Sequence, residues 1–426
     1  MENRETLAPR RDRMGGALAA GDALVLVGAG EPVPIPGGAD QTYRFKSHAN
    51  YYYLTEQECP GGVLAYDGAS GWEAFAPEVT AQQRLWEGDF RWEGRPLAEL
   101  AGWLAARRGR PIASLGSPIS GLTHDEALSA RLAERMLHAR RVKDAAELAK
   151  IRGAAAMTAA GFRRARECIR GGVTEREAQI EVEAAFFRAG AETTGYSTIV
   201  GSGERAAILH YIRAEHRMRA GELVLIDAGA EAGRYCADVT RTFPVDGAAS
   251  AVQRDLLELV LGVEHAGIEA CRVGTEWHDV HRLASEHLAA GMAAMGLVRG
   301  EPAELVDRGV AALFMPHGIG HMVGLGVRDA GGREPGRPDR LGPGGVRVRV
   351  DLPLRAGYVM TVEPGIYFVK GLIEDPVRRE KLAGAVDWAA VDRVRREVQG
   401  IRIEDNVLVR EEGPEVLTAE IAARMW

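Results

Sequence analysis

The chain has 426 residues, of which 46% are apolar and 27% are charged, a balance typical of folded globular proteins. Its formal net charge is −7 and its basic residues are scattered, which argues against a nucleic-acid or anionic-membrane partner. Four cysteines without CxxC spacing, a charged N-terminus and no run of about 20 apolar residues predict a reduced, cytoplasmic protein that does not cross a membrane.

The length exceeds that of a single ordinary core, so two domains are expected. Apolar density falls and a helix begins near residues 139–147, which marks the boundary. We therefore predict a smaller α/β domain at residues 1–140 and a larger α/β domain at residues 141–426.

The first predicted domain contains two apolar runs, at residues 23–28 and 62–66, that are typical of buried strands. Trp86, Trp92 and Trp103 follow within a short span. Such a cluster indicates core packing or a subunit contact more often than a ligand cage. No set of titratable groups in this domain suggests catalysis.

The second predicted domain begins with an amphipathic helix that ends near Cys168. Thr174 and Glu177 form the capping box of the next helix. Residues 250–271 and 276–295 predict two long helices, each with an apolar stripe. Four histidines on or near these two helices are interpreted as solvated or packed: His265, His278, His281 and His287.

Residues 329–345 are rich in glycine, proline and arginine. The segment is too long and irregular for a simple turn, so we predict a functional loop or mobile lid.

Two aspartates lie where predicted strands end or begin. The run Leu223–Ile226 leads into Asp227, and a second strand begins just beyond Asp238. Two carboxylates at facing strand ends could share one cation or a pair of cations. On this stretch alone, a role in capping turns is as well supported as a metal site, since aspartate is common at such positions.

Three later segments favour the metal hypothesis. His317 and His321 lie four residues apart among glycines, and predicted strands end on Glu363 and Glu404. An oxygen-rich set with a single nitrogen suits Mn²⁺, Co²⁺ or Zn²⁺. Because four carboxylates balance two divalent ions, the charge favours a dinuclear centre. The predicted ligands are Asp227, Asp238, His321, Glu363 and Glu404.

These segments resemble the motifs of the pita-bread metallopeptidases. The resemblance is carried by Ala207–Tyr211, Leu225–Gly229, Ala237–Phe243, His317–His321, Thr361–Phe368 and Ile401–Asn406. Within that family, the segments resemble more specifically the proline-specific branch, which holds prolidase (Xaa-Pro dipeptidase) and aminopeptidase P. It covers about residues 140–415, and the N-terminal domain resembles that branch more weakly, through the aromatic segment that starts at Tyr43.

The resemblance implies a pseudo-symmetric α/β catalytic domain with two metal ions, usually Mn²⁺, and a homodimer. It implies that Glu363 is both a ligand and a proton shuttle, and that Asp227 and Glu404 bridge the metals. His210 and His317 match family histidines that hold the substrate or stabilise the tetrahedral oxyanion.

Two features favour prolidase within this branch. Glu363 and Glu404 are separated by 41 positions (404 − 363), and this long insertion resembles that of prolidases. Arg349 matches an arginine that binds the carboxylate of a dipeptide, a task suited to its planar fork of donors. A solvated strand arginine is the plainer alternative. Arg402, within the last motif, is also expected to contact substrate.

One position departs from the family pattern. Where the family usually has a histidine followed by aspartate, this chain has Arg328 before Asp329. Our hypothesis is that Arg328 supplies a second positive charge for a free carboxylate. The alternatives are weaker catalysis or an arginine that turns outward.

The sequence thus predicts a proline-specific metalloprotease of the prolidase type, a hydrolase acting on Xaa-Pro dipeptides. The alternative is an Xaa-Pro aminopeptidase acting on longer peptides. A third class, a pita-bread binding protein that has lost its metals, is disfavoured because all five ligand positions are filled.

Overall fold

The computed structural model describes residues 2–426, with side chains from residue 7 onward. The chain forms two compact units that divide between Arg140 and Arg141. The helices that begin in the first unit are α1 Glu2–Leu18, α2 Ala49–Thr55, α3 Ala81–Glu87, α4 Leu100–Ala105 and α5 Glu126–Arg141. Its strands are β1 Leu24–Gly28, β2 Val63–Asp67, β3 Gly71–Ala76, β4 Arg95–Pro96 and β5 Ile112–Ser114.

A five-stranded mixed sheet, ordered β4-β3-β2-β1-β5, forms the centre of the first unit. The two apolar runs recognised in the sequence become β1 and β2, which pair antiparallel with Val25 opposite Tyr66. Trp103 is buried in the core beside Phe75. Trp86, by contrast, is 76% exposed on α3, so the three tryptophans do not form one cluster.

The second unit holds the remaining elements. Its helices are α6 Ala145–Cys168, α7 Glu175–Arg188, α8 Ala251–Glu269, α9 Trp277–Ala294, α10 Pro302–Asp307, α11 Val310–Phe314, α12 Lys370–Ile373, α13 Pro376–Leu382 and α14 Trp388–Val394. Its strands are β6 Thr193–Thr194, β7 Ile199–Ser202, β8 Leu223–Ala228, β9 Ala230–Ala232, β10 Tyr235–Cys236, β11 Val239–Pro244, β12 Gly332–Arg333, β13 Val350–Asp351, β14 Val359–Val362, β15 Gly365–Tyr367, β16 Gly400–Arg402, β17 Asp405–Leu408 and β18 Glu415–Val416.

The helices of the second unit follow their sequence signals closely. The capping box of Thr174 and Glu177 starts α7, as predicted. The two long helices are confirmed as α8 and α9. Of their histidines, His281 is buried and His265 is exposed, in agreement with the packed and solvated interpretations.

An antiparallel sheet ordered β11-β8-β7 positions the first aspartate. Because side chains alternate along a strand, Val224 and Ile226 pack with α6 and α7, while Leu225 and Asp227 face the other way. Here the structure corrects the sequence analysis. β8 continues to Ala228, so Asp227 lies within the strand rather than at its end.

Two further antiparallel pairs carry the later acids. β14 pairs with β17, and β15 pairs with β16. Glu363 lies directly after β14, as predicted, and Glu404 lies between β16 and β17. A bridge between Thr240 and Glu404 joins these strands to the sheet of β8. The main core packs α8 and α9 against β14 and β16.

The irregular segment at residues 329–345 is anchored by arginines. Arg337 donates to Glu276 and Asp351, and Arg340 also donates to Asp351. Hydrogen bonds from Arg340 outweigh burial and lower the pKa of Asp351 to about 2. The segment is therefore tied to the start of α9 and to β13. Among the helices of the described residues, none combines the length and apolar character needed to span a bilayer.

Candidate active site

A cavity of about 330 Å³ in the second unit gathers the residues predicted from the sequence. Ten of its lining residues are the ten predicted site residues: His210, Asp227, Asp238, His317, His321, Arg328, Arg349, Glu363, Arg402 and Glu404. These residues come from several strands and loops that are far apart in the chain. Their convergence depends on the fold rather than on any single motif.

The bottom of the cavity is an acidic floor, which we define as Asp227, Asp238, His321, Glu363 and Glu404. Three of these residues, Asp238, His321 and Glu404, are buried and bring potential ligand atoms within 4.8 Å of one another. His321 Nε2 lies 3.2 Å from Asp238 Oδ2 and 3.7 Å from Glu363 Oε1. The floor therefore offers a compact group that could hold a metal ion.

The orientation of His321 suits a metal ligand. Its Nδ1 donates to the carbonyl oxygen of Met322 at 3.0 Å, and this bond holds the ring with Nε2 facing Asp238 and Glu363. Its backbone N–H donates to Thr361 Oγ1 at 3.0 Å. A Cβ on Gly320 would lie 2.0 Å from the Thr361 carbonyl oxygen, which explains the need for glycine beside His321.

Neighbouring polar side chains hold Asp238 and Glu404 in place. The Asn406 amide accepts from the backbone N–H of Asp238 at 3.0 Å and donates to its carbonyl at 2.6 Å. Thr240 Oγ1 donates to Glu404 Oε2 at 2.6 Å. Buried Arg241 donates to the Glu404 carbonyl at 2.7 Å. These contacts restrict both acids before any ligand binds.

Asp227 is engaged differently from the other acids. The Tyr196 hydroxyl donates to its Oδ1 at 2.6 Å, and Arg402 Nη2 donates to its Oδ2 at 2.5 Å. Arg402 is buried and also donates to Thr240 and to the Tyr367 hydroxyl. The sequence predicts that Arg402 contacts substrate. In this structure its guanidinium instead donates to Asp227, Thr240 and Tyr367.

His317 forms the end of a hydrogen-bond chain that starts at Arg402. Its Nδ1 donates to the Gly318 carbonyl at 2.9 Å, so its Nε2 accepts from the Tyr367 hydroxyl at 3.1 Å. Burial outweighs the bond to Gly318 and lowers the pKa of His317 to about 4. The imidazole is therefore neutral near pH 7, with both ring nitrogens bonded to protein groups.

The acids of the floor perturb one another. Burial, followed by the charges of Asp238, Glu363 and Asp227, raises the pKa of Glu404 well above its usual range. Burial also raises the pKa of Asp227. Burial opposes ionisation of Asp238, but the hydrogen bond and charge of His321 outweigh it and lower the pKa. A divalent cation would favour the ionised form of every acid here.

The mouth of the cavity has the opposite charge. We define its basic rim as His210, Arg328 and Arg349, which are all exposed. Neither arginine forms an ion pair with any residue that the structure describes. Partial burial and the charge of Arg328 lower the pKa of Arg349, so the two guanidinium groups lie within electrostatic range of each other.

Four of the supporting side chains illustrate what the sequence predictions lack. Thr240, Tyr367 and Asn406 lie inside the recognised motifs, so the motifs themselves could have indicated them. Tyr196 lies outside every recognised motif, and only the fold brings its hydroxyl to Asp227.

Fold and site together define a metal-dependent peptidase. The model of metallopeptidase family M24 matches residues 149–411, and the chain belongs to this family. It is a metallopeptidase of mixed α/β fold with a pita-bread catalytic domain, and its relatives lie in the proline-specific branch.

Two relatives that match most of the chain carry the same name. A probable Xaa-Pro aminopeptidase of Fusarium vanettenii is 32% identical over 407 residues, covering 89% of this chain and 86% of the relative. A probable Xaa-Pro aminopeptidase of Emericella nidulans is 31% identical over 412 residues, covering 89% and 87%.

Solved structures agree with the sequence relatives. The aminopeptidase PepP of Pseudomonas aeruginosa has a TM-score of 0.78 at 26% identity, covering 98% of this chain and 96% of that one. Zinc-substituted aminopeptidase P of Escherichia coli, in complex with product, has a TM-score of 0.77 at 26% identity, with coverage of 98% and 96%.

Proposed function

We propose that this protein is an Xaa-Pro aminopeptidase, which releases the N-terminal residue from peptides with proline in second position. The observation that carries the proposal is the acidic floor, where Asp238, His321 and Glu404 converge at the bottom of the cavity. In the sequence, the long insertion and Arg349 favoured prolidase. The relatives are named Xaa-Pro aminopeptidases, and their names support the aminopeptidase specificity instead.

The residues of the floor fit divalent metal ions. The donor set is rich in carboxylate oxygen and has one imidazole, a combination suited to Mn²⁺, Co²⁺ or Zn²⁺. Glu363 Oε1 is buried without a hydrogen-bond partner among the described residues, a cost that a cation would remove. We propose two ions, with Mn²⁺ as the native metal, held by Asp227, Asp238, His321, Glu363 and Glu404. Bound there, such ions would lower the pKa of a coordinated water and polarise the scissile carbonyl.

Glu363 is our candidate for the proton shuttle. Its side chain lines the cavity, is 14% exposed, and retains an oxygen without a hydrogen bond among the described residues. A carboxylate in that position can accept a proton from the attacking water and later deliver it to the proline nitrogen that leaves.

Two histidines would act on the substrate. Exposed His210 can donate a ring N–H to the oxygen that gains negative charge. His317, neutral and held by Tyr367, would line the pocket and orient the peptide. His317 could donate to an oxyanion only after its present hydrogen bonds change.

One observation favours prolidase as a second candidate. Arg328 and Arg349 at the rim form no ion pair among the described residues, so they could bind the carboxylate of a dipeptide. In an aminopeptidase, the same pair would contact the residues that follow proline.

The deciding experiment compares hydrolysis of Ala-Pro and Ala-Pro-Ala by Mn²⁺-loaded protein, with chelated protein and Glu363→Gln as controls. We expect faster cleavage of the tripeptide, and little cleavage by either control. Cleavage confined to the dipeptide would establish prolidase instead. Absence of both bound Mn²⁺ and cleavage would indicate a pita-bread binding protein.

Arg328 can be tested in the same assay. Arg328→His restores the residue usual in the family, while Arg347→His alters an exposed arginine outside the cavity. If Arg328 binds carboxylates, only the first variant will change the ratio of dipeptide to tripeptide cleavage. An unchanged ratio would exclude that role.

The homodimer implied by the resemblance and the cytoplasmic location predicted from the composition stay predictions. Light scattering of the purified protein at micromolar concentration will measure the oligomeric state directly.

A further inference from the structure

Glu175 is a fully buried carboxylate outside the cavity, at the first position of α7. It accepts four hydrogen bonds. Its Oε1 accepts from the backbone N–H of Ser202 at 2.7 Å and from the Ser202 hydroxyl at 2.9 Å. Its Oε2 accepts from the Tyr211 hydroxyl and from the backbone N–H of His216, both at 2.9 Å.

These donors surround the segment that carries His210. We define residues 203–215 as the His210 segment, which lies between Ser202 at the end of β7 and His216. Tyr211 is the next residue after His210. The carboxylate of Glu175 therefore binds Ser202 and His216, which flank the segment, and also Tyr211, the residue beside His210.

The rest of the segment supports this arrangement. The Tyr211 ring packs in a buried cluster with Leu225 and Tyr367. Its hydroxyl also accepts from the backbone N–H of Glu215 at 3.1 Å. The backbone N–H of Glu175 itself donates to the His216 carbonyl at 2.9 Å. Within the segment, His210 is exposed and reaches the cavity.

The charge of Glu175 has an unusual setting. No lysine or arginine among the described residues forms an ion pair with it. Four donors and the positive end of α7 stabilise the buried charge instead. A neutral amide could not replace it, because the NH₂ group of glutamine would face donors in place of an acceptor.

We propose that Glu175 is a positioning residue that fixes His210 at the mouth of the cavity by holding the His210 segment. The role of His210 in catalysis rests on the proposed function. The geometry of the segment does not, so the two ideas can be tested separately.

The test is Glu175→Gln, with Glu177→Gln as the matched control. Glu177 lies on the same helix and is exposed, and glutamine also suits a capping box. We expect Glu175→Gln to lower kcat/KM for Ala-Pro-Ala by roughly 10- to 100-fold, the scale of effect seen when a side chain that orients a metal ligand is replaced. Mn²⁺ stoichiometry should be unchanged, and the control should stay within twofold of wild type.

Combining variants separates positioning from a general loss of structure. In a His210→Ala background, Glu175→Gln should cost less than about twofold, because its effect passes through His210. A full additional loss in that background would overturn the proposal. So would wild-type activity of Glu175→Gln.

Hydrogen exchange requires no catalysis, so it tests the geometry even if the peptidase assay fails. Exchange across residues 203–215 should rise in Glu175→Gln and not in Glu177→Gln. If Glu175→Gln does not fold, Tyr211→Phe, which removes one donor, replaces it. Unchanged exchange and activity in Tyr211→Phe would then overturn the proposal.

Discussion

The acidic floor and the basic rim of the cavity are built in opposite ways. Floor residues such as Asp238 and Glu404 are buried, and their positions are set by strands and by hydrogen bonds from Asn406 and Thr240. Rim residues such as Arg328 and Arg349 are exposed and form no ion pair among the described residues. The floor side chains are held by these hydrogen bonds, whereas the two rim arginines are not held by any ion pair to the described residues.

This difference suggests that the floor serves the reaction and that the two rim arginines serve the choice of substrate. A preorganised set of ligands lowers the cost of binding metal and of reaching the transition state. Exposed arginines add affinity for an anionic group but pay conformational entropy when they bind it. We therefore expect floor substitutions to abolish catalysis and substitutions of the two rim arginines to change substrate preference.

The largest expected effect comes from breaking the floor. Asp238→Asn should lose bound Mn²⁺ and lower kcat/KM by on the order of 10³-fold, or about 4 kcal/mol of transition-state stabilisation. Elemental analysis and peptide hydrolysis measure the two losses. The matched control is Glu231→Gln, a buried acid outside the cavity, which should keep its metal. Retention of metal and activity by Asp238→Asn would contradict the assignment of the floor.

Acid should destabilise the protein through His281, a histidine buried on α9. Burial, followed by the charges of His317 and His278, lowers the pKa of His281 to about 4. The unfolded chain binds the proton near pH 6.5, so the contribution to stability is complete above 6.5 and is lost as pH falls towards 4. One group with this shift contributes about 3 kcal/mol.

Urea unfolding of chelated protein at several pH values will measure this loss. Between pH 6.5 and 4, His281→Leu should lose about 3 kcal/mol less unfolding free energy than wild type. His265→Gln, which changes an exposed histidine, should follow wild type. Parallel curves for wild type and His281→Leu would show that His281 does not contribute.

A smaller effect is expected at the rim. Arg349→Ala should raise KM about 10-fold for peptides whose carboxylate reaches the rim, with little change in bound metal. Arg347→Ala, which removes an arginine that is 75% exposed two positions earlier, is the control. Steady-state kinetics with free and amidated tripeptides separate carboxylate binding from packing. Equal KM changes for both peptides would argue against charge recognition.

The smallest effect should come from salt. Raising ionic strength from about 0.05 M to about 0.5 M should raise KM two- to threefold, since exposed charges are screened and buried ones much less. Bound Mn²⁺ should not change. An amidated peptide serves as the control, and an equal response by that peptide would remove the electrostatic explanation.

The sequence alone predicted the candidate floor and much of the fold around it. Apolar runs that begin or end near acids located Asp227, Asp238, Glu363 and Glu404, because strand periodicity and turn chemistry are local properties. The capping box of α7 and the bounds of α8 and α9 were equally accessible. Local patterns also misplaced the end of β8, since backbone pairing with β11 extends the strand past Asp227.

What only the tertiary structure decided is the set of partners that each side chain finds. Nothing local to Arg402 indicates that its guanidinium binds Asp227, 175 residues away, or that Tyr196 donates to the same acid. Likewise, only packing reveals that Glu175 gathers the ends of the His210 segment. Long-range hydrogen bonds depend on how separate strands and helices are brought together, whereas the residue types that can bind a metal are present in the sequence from the start.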